Sequence, residues 1–147
     1  MTETQITPLT IAHVEQISVL EQLCFAAPWS RESYQRELSE NRLAHYFGVW
    51  QGECLLAFGG FWQILDEGHI TNVAAHPDYR RLGLAQLLIT HMMTACRALG
   101  GRTMTLEVRE NNAAARRLYE KMGFGTAGIR PHYYDNGENA VIMWSRL

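Results

Sequence analysis

Residues 80 to 85, Arg-Arg-Leu-Gly-Leu-Ala, have the types and spacing that hold an anion. Small residues at 83 and 85 leave backbone N–H groups uncovered where a helical pattern begins, and the first amides of a helix have no partner within it. The helix dipole favours negative charge at the same end, and Arg80 and Arg81 add to it, so a phosphate or pyrophosphate is the natural guest. A second group, Glu107, Asn112 and Tyr119, offers a carboxylate, a carboxamide and a phenol. Asn112 and Tyr119 fall on one stripe of a helix, about 10 Å apart along its axis at 1.5 Å per residue. Glu107 comes at the end of the preceding strand, where α/β sheets place ligands. Each of the three also has a plain structural reading: a solvated face of a strand, a helix cap, and a ring packed beside Leu118 and Met122.

The elements that must position these groups are legible from periodicity. His69 to Ala75 is short, apolar and β-branched in its middle, as a buried strand is, and His76-Pro77-Asp78 breaks it. From Leu84 the apolar residues fall at 84, 87, 88, 92, 95 and 99, a helical face closed by Gly100-Gly101. Upstream, Ile6 to Leu9 reads as a strand and Thr10 as the cap of a helix with Ile11, Val14, Ile17, Leu20 or Leu23, and Phe25 inward. Ala26-Ala27-Pro28-Trp29 cannot continue that helix, and Ser30 caps a second one to about Leu38. Trp29 lines a substrate groove or plugs the helix junction. Leu43–Trp50 and Cys54–Ile64 form a hairpin across Gln51-Gly52-Glu53, with Gly59-Gly60 expected at a bulge or bend. Thr103–Arg109 alternates with Met104, Leu106 and Val108 on one face, and Asn111 or Asn112 caps the helix that Gly123 stops. Asp135-Asn136-Gly137 predicts a terminal hairpin of residues 124 to 134 and 138 to 146. The sum is a mixed, mostly antiparallel α/β sheet of about seven strands with four helices.

Composition excludes several classes of function. The chain has 147 residues, enough for one domain over residues 1 to 147, with 47% hydrophobic and 19% charged residues and a net charge of −2. It is neither disordered nor membrane-spanning by composition, and dispersed Lys and Arg give no broad footprint for nucleic acid or a membrane surface. The first residues lack the basic start and apolar core of a secretion signal, which points to the cytoplasm. Cys24, Cys54 and Cys96 read as reduced core residues, and no His or Cys spacing matches a metal site, so none is expected. The triphosphate-loop and dinucleotide glycine motifs are absent, as is Gly-x-Ser-x-Gly.

Arg80-x-x-Gly83-x-Ala85, after a strand and before a helix, resembles the acyl-CoA loop of the GNAT superfamily of N-acetyltransferases. Leu106-Glu107-Val108-Arg109, Asn112-Ala113-Ala114-Ala115 and Leu118-Tyr119-Glu120-Lys121-Met122-Gly123-Phe124 resemble the matching region of the bacterial ribosomal-protein-alanine N-acetyltransferases. Phe25-x-x-Pro28-Trp29-Ser30 and Arg130-x-x-Tyr133-Tyr134 extend the likeness over nearly the whole chain. Ala85 replaces a glycine common at that place, and Asn139-Ala140 replaces an Asp-Ala pair.

The resemblance implies acetyl transfer from acetyl-CoA to the α-amine of a ribosomal protein's N-terminal peptide, with Glu107 as general base and Tyr119 as general acid. It implies that Val73, Ala74, Ala75, Arg81, Leu82, Gly83, Leu84, Ala85, Gln86 and Asn112 bind acetyl-CoA. An α-amine with a pKa of about 7.7 to 8.0 needs only a mild base, and a thiolate leaving group is helped by a phenol donor. Trp29, Tyr133 and Tyr134 are candidate peptide contacts, the two tyrosines packing on the sheet or bonding the peptide backbone. A small amine or a lysine as acceptor, or a non-catalytic coenzyme A-binding module, remain the alternatives.

Overall fold

The computed structural model describes residues 3–147. In chain order the elements are β1 (Thr4–Pro8), a 3-10 turn (Ile11–His13), α1 (Val14–Cys24), α2 (Arg31–Glu40), β2 (Ala44–Gln51), β3 (Cys54–Ile64) and β4 (Glu67–Ala75). A second 3-10 turn (Pro77–Tyr79) leads to α3 (Leu84–Ala98), β5 (Thr103–Arg109), α4 (Ala113–Lys121), β6 (Gly125–Arg130) and β7 (Ala140–Arg146). The seven strands form one sheet in the order β1-β2-β3-β4-β5-β7-β6. β4 and β5 run parallel, while β1 with β2, β2 with β3, β5 with β7 and β6 with β7 are antiparallel.

Local chemistry explains the helix starts. Thr10 and His13 close a reciprocal capping box ahead of α1. Ser30 accepts a bond from the Ser33 amide at the head of α2, and Asn112, not Asn111, accepts one from the Ala115 amide at the head of α4. Gly123 follows α4 at φ +103°, which halts the helix there.

Contacts divide the chain into two compact units, Met1–Trp62 with Thr71–Met92, and Gln63–Ile70 with Met93–Leu147. The first buries Leu9, Ile17, Leu20, Tyr34, Tyr46, Leu55, Phe58 and Ala74 around one another. In the second, β5 buries Met104, Leu106 and Val108, the face its alternation predicts, and Tyr119, Phe124, Val141 and Met143 are buried as well.

Several sequence expectations are corrected. On α1 Val14, Ile17 and Leu20 face inward and Leu23 is exposed, as is Ile11, which lies in the preceding 3-10 turn. On α3 the buried stripe is Leu84, Leu88, Ile89, Met92 and Cys96, while Leu87 is exposed and Leu99 lies beyond the helix end. A pattern of apolar residues cannot say which side is buried when a helix carries apolar residues on more than one face. Gly59 and Gly60 sit in regular register opposite Phe47 and Tyr46, and the irregularity falls at Val49/Trp50 instead. A Cβ on Gly60 would lie 2.6 Å from the Tyr46 ring, so close approach, not a bend, requires glycine there. Cys96 is buried and Cys24 half-buried, but Cys54 is exposed just after the hairpin turn. The terminal strands are shorter than expected, since β6 and β7 close at Arg130 opposite Ala140 and residues 131–139 form a loop around the turn at Gly137.

Candidate active site

In the first unit, β4 runs to Ala75 and continues its pairing one residue on, where the His76 amide donates to Leu56 O at 2.8 Å. Ala74 faces the core, so Val73 and Ala75, both half-buried, face the other side of the sheet. The Cys24 thiol donates to Ala75 O at 3.2 Å. Burial pushes that thiol up and Arg80 beside it pulls it part of the way back, so Cys24 is not an activated nucleophile.

His76 then caps the 3-10 turn by accepting from the Asp78 amide, and the chain enters α3 through two left-handed residues, Arg81 at φ 67° and Gly83 at φ 77°. Leu87 N bonds Gly83 O at 3.0 Å as the first turn of the helix. The amides of Leu84, Ala85 and Gln86 therefore have no acceptor within α3. Leu84 is buried and anchors the turn, Leu82 is 67% exposed, and a Cβ on Gly83 would meet nothing within 4 Å. Alternating backbone conformations at a helix start make a concavity of N–H groups, and open space above it fits a diphosphate.

Trp29 lies in the same unit, 43% exposed, against the Tyr34 ring at 5.3 Å. It packs the α1–α2 junction against Tyr34, as one of its two readings has it, and it also walls a cavity of about 460 Å³ with Ser33, Arg36, Glu37, Glu40 and Asn41. Its backbone amide donates to Glu21 Oε2 at 2.9 Å, and Tyr34 donates to Glu21 Oε1 at 2.6 Å. Asn72 Nδ2 donates to Tyr34 at 2.5 Å, one residue before Val73. Burial pushes the Tyr34 phenol far up, so it stays a donor.

The second unit holds Glu107, Asn112, Tyr119, Tyr133 and Tyr134. Glu107, on β5 opposite Ile142, has a side chain 15% exposed. Its Oε2 lies 2.9 Å from His69 Nε2 and its Oε1 lies 3.6 Å from Arg130 Nε. Tyr119 is 9% exposed, its ring edge-on to Phe124 at 5.8 Å. Burial first and Tyr134 second push its phenol up to about 12, and its hydroxyl bonds no other described residue. Arg109 covers the Tyr134 ring at 3.9 Å and Tyr133 meets it edge-on at 5.0 Å. Burial raises the Tyr134 phenol, Arg109 draws it back, and Tyr133, Glu107 and Glu138 raise it further. Tyr134 is thus within electrostatic reach of both Glu107 and Tyr119. Asn112 caps α4 with its carboxamide oxygen and, among the described residues, bonds neither Glu107 nor Tyr119.

Sequence reasoning missed His69 as the partner of Glu107 and saw Arg130 only as part of a motif. The usable signal was that His69 and Glu107 lie on consecutive predicted strands, but the pairing and register of those strands alone decide that they meet. Asn139, at the departure noted above, accepts from the His132 amide at 3.0 Å and shapes the loop before β7. Among the described residues no three His, Cys, Asp or Glu side chains gather as metal ligands do. No helix of the described residues is long and apolar enough to cross a membrane.

A family model described as the acetyltransferase (GNAT) family matches residues 14–124. The [ribosomal protein bS18]-alanine N-acetyltransferase of Escherichia coli strain K12 is 39% identical over 127 residues, 84% of each chain. The protein of the same name from Haemophilus influenzae is 32% identical over 142 residues, 94% of this chain and 95% of that one. The crystal structure of the E. coli ribosomal-protein-S18-alanine N-acetyltransferase superposes with a TM-score of 0.90 at 35% identity, covering 98% of this chain and 94% of that one.

Proposed function

The chain belongs to the GNAT acetyltransferase family, and from that premise we propose that it is a cytoplasmic, acetyl-CoA-dependent N-terminal acetyltransferase whose substrate is the alanine-starting ribosomal protein bS18. The observation that carries this is the agreement of relatives 39% and 32% identical, over most of their length, on that one acceptor. Residues 1 to 147 work as a single catalytic domain in this reading.

Val73, Ala74, Ala75, Arg81, Leu82, Gly83, Leu84, Ala85, Gln86 and Asn112 hold acetyl-CoA, which supplies the thioester. The uncovered amides of Leu84, Ala85 and Gln86 and the two left-handed residues before them support a diphosphate contact. Strand amides at Val73 to Ala75 hold the thioester carbonyl as its oxygen gains charge.

Glu107 takes the proton of the incoming α-amine, directly or through water, as the amine nitrogen bonds the carbonyl carbon. The carbon–sulfur bond breaks and Tyr119 gives its phenolic proton to the departing sulfur. Glu107 then loses its proton to solvent and Tyr119 regains one. A phenol pushed up to about 12 holds its proton throughout the neutral range, which suits a donor. Trp29, Tyr133 and Tyr134 contact the peptide.

The decisive experiment incubates the purified protein with acetyl-CoA and a bS18 N-terminal peptide beside a panel of small amines and a lysine peptide, read by mass spectrometry. One acetyl group on the alanine α-amine is expected, with no acetylated enzyme detected. Preference for the panel would overturn the proposal.

A further inference from the structure

The carboxylate of Glu107 is gripped at both oxygens, unequally. His69 Nε2 lies 2.9 Å from Oε2, whereas Arg130 Nε lies 3.6 Å from Oε1, on a side chain 56% exposed. An ionised carboxylate can only accept, so at the closer contact the proton sits on Nε2 and histidine donates. A charge-assisted bond at that distance is directional, while the arginine is past hydrogen-bond reach and supplies charge without direction.

Register makes the pair. His69 stands opposite Thr105 on the parallel β4–β5 ladder. Glu107 is two residues further along β5, on the same face as Thr105. The pairing ends at His69 and Thr105, and from there the His69 side chain reaches that carboxylate, within a single compact unit.

We propose that His69 is a positioning residue for acetyl transfer, fixing the orientation in which Glu107 receives the proton of the amine. This rests on Glu107 being the general base. A carboxylate held by one short bond presents its remaining lone pairs to one place, and a base displaced by an ångström loses much of its advantage. Without the imidazole the carboxylate swings toward Arg130 and solvent.

The test is a double-mutant cycle on steady-state kinetics with acetyl-CoA and the alanine-starting peptide: His69→Ala, Glu107→Gln and the double variant, with His69→Gln alongside. His69→Ala is expected to lower kcat about 10- to 100-fold, the range seen when a partner of a working ligand is removed, with both KM values within about twofold. His69→Gln, which keeps an N–H donor, recovers part of that loss, as does imidazole added to His69→Ala. In the Glu107→Gln background the His69→Ala change has no further effect. A wild-type kcat in His69→Ala while Glu107→Gln is impaired overturns the proposal and leaves Glu107 standing. Losses that multiply in the double variant overturn it as well, because His69 then acts independently of Glu107. Wild-type turnover in Glu107→Gln removes the general base itself and the role of His69 with it.

Discussion

A phenol that hands a proton to a thiolate must keep that proton until the moment of transfer. Tyr119, the residue proposed for that step, meets the requirement because its ring is buried beside Phe124 and its phenol is pushed up to about 12. Tyr119→Phe keeps the packing and removes the donor, so kcat is expected to fall about 100-fold or more with acetyl-CoA affinity unchanged by titration calorimetry. The same shift has a signature in stability. A tyrosine that ionises near 10 when unfolded and near 12 when folded favours the folded state while protonated. That stability is whole below pH 10 and is lost as pH rises toward 12, on the order of 3 kcal/mol. Thermal melts across pH 9 to 12 should therefore show the wild type losing stability relative to Tyr119→Phe, and parallel curves would refute the burial argument. Glu107 and Tyr119 stood out as candidates from residue type and motif, whereas the Glu107–His69 bond was not legible, because two residues 38 apart meet only through strand register.

At the level of elements, the start of α3 is the loop proposed to bind the coenzyme. Arg81 and Gly83 both adopt positive φ, and the helix takes up its first bond at Leu87. A Cβ at position 83 would touch nothing within 4 Å, so Gly83→Ala is penalised by backbone conformation alone, about 1–2 kcal/mol. The loop relieves that strain by rotating its amides away. The expected outcome is acetyl-CoA affinity weakened about tenfold in calorimetry with peptide KM unchanged; an unaltered affinity would separate the loop from coenzyme binding. The strand-loop-helix order and the small residue at 83 were legible in the sequence. The inward face of α3 was not, since Leu84, Leu87, Leu88 and Ile89 are all apolar and only the packing chooses among them.

Across the molecule, each compact unit has its own buried set, and the first is threaded by a polar network that composition alone would not suggest. Glu21 joins the Trp29 amide to Tyr34, Tyr34 joins Asn72, and Glu37 receives Tyr46 and Trp62. Two glutamates at 3% and 8% exposure are tolerable only because these donors satisfy them. Tyr34→Phe strips one donor from Glu21 and one acceptor from Asn72, a loss of about 1–3 kcal/mol. Tm should drop by roughly 3–10 °C in a chain of this size, measured by calorimetry. A change under one degree would mean that the carboxylate finds another donor.

The sequence by itself determined the succession of elements, the strand-loop-helix order around Gly83 and the choice of Glu107 and Tyr119 as the residues to test, because periodicity, caps and motif chemistry are local properties of the chain. Tertiary structure alone decided that β7 lies between β5 and β6, that His69 holds Glu107, and that Glu21 and Glu37 are buried. Those outcomes depend on which strand edges and helix faces meet, and side chains distant in sequence become partners only when backbone hydrogen bonds fix the register between them.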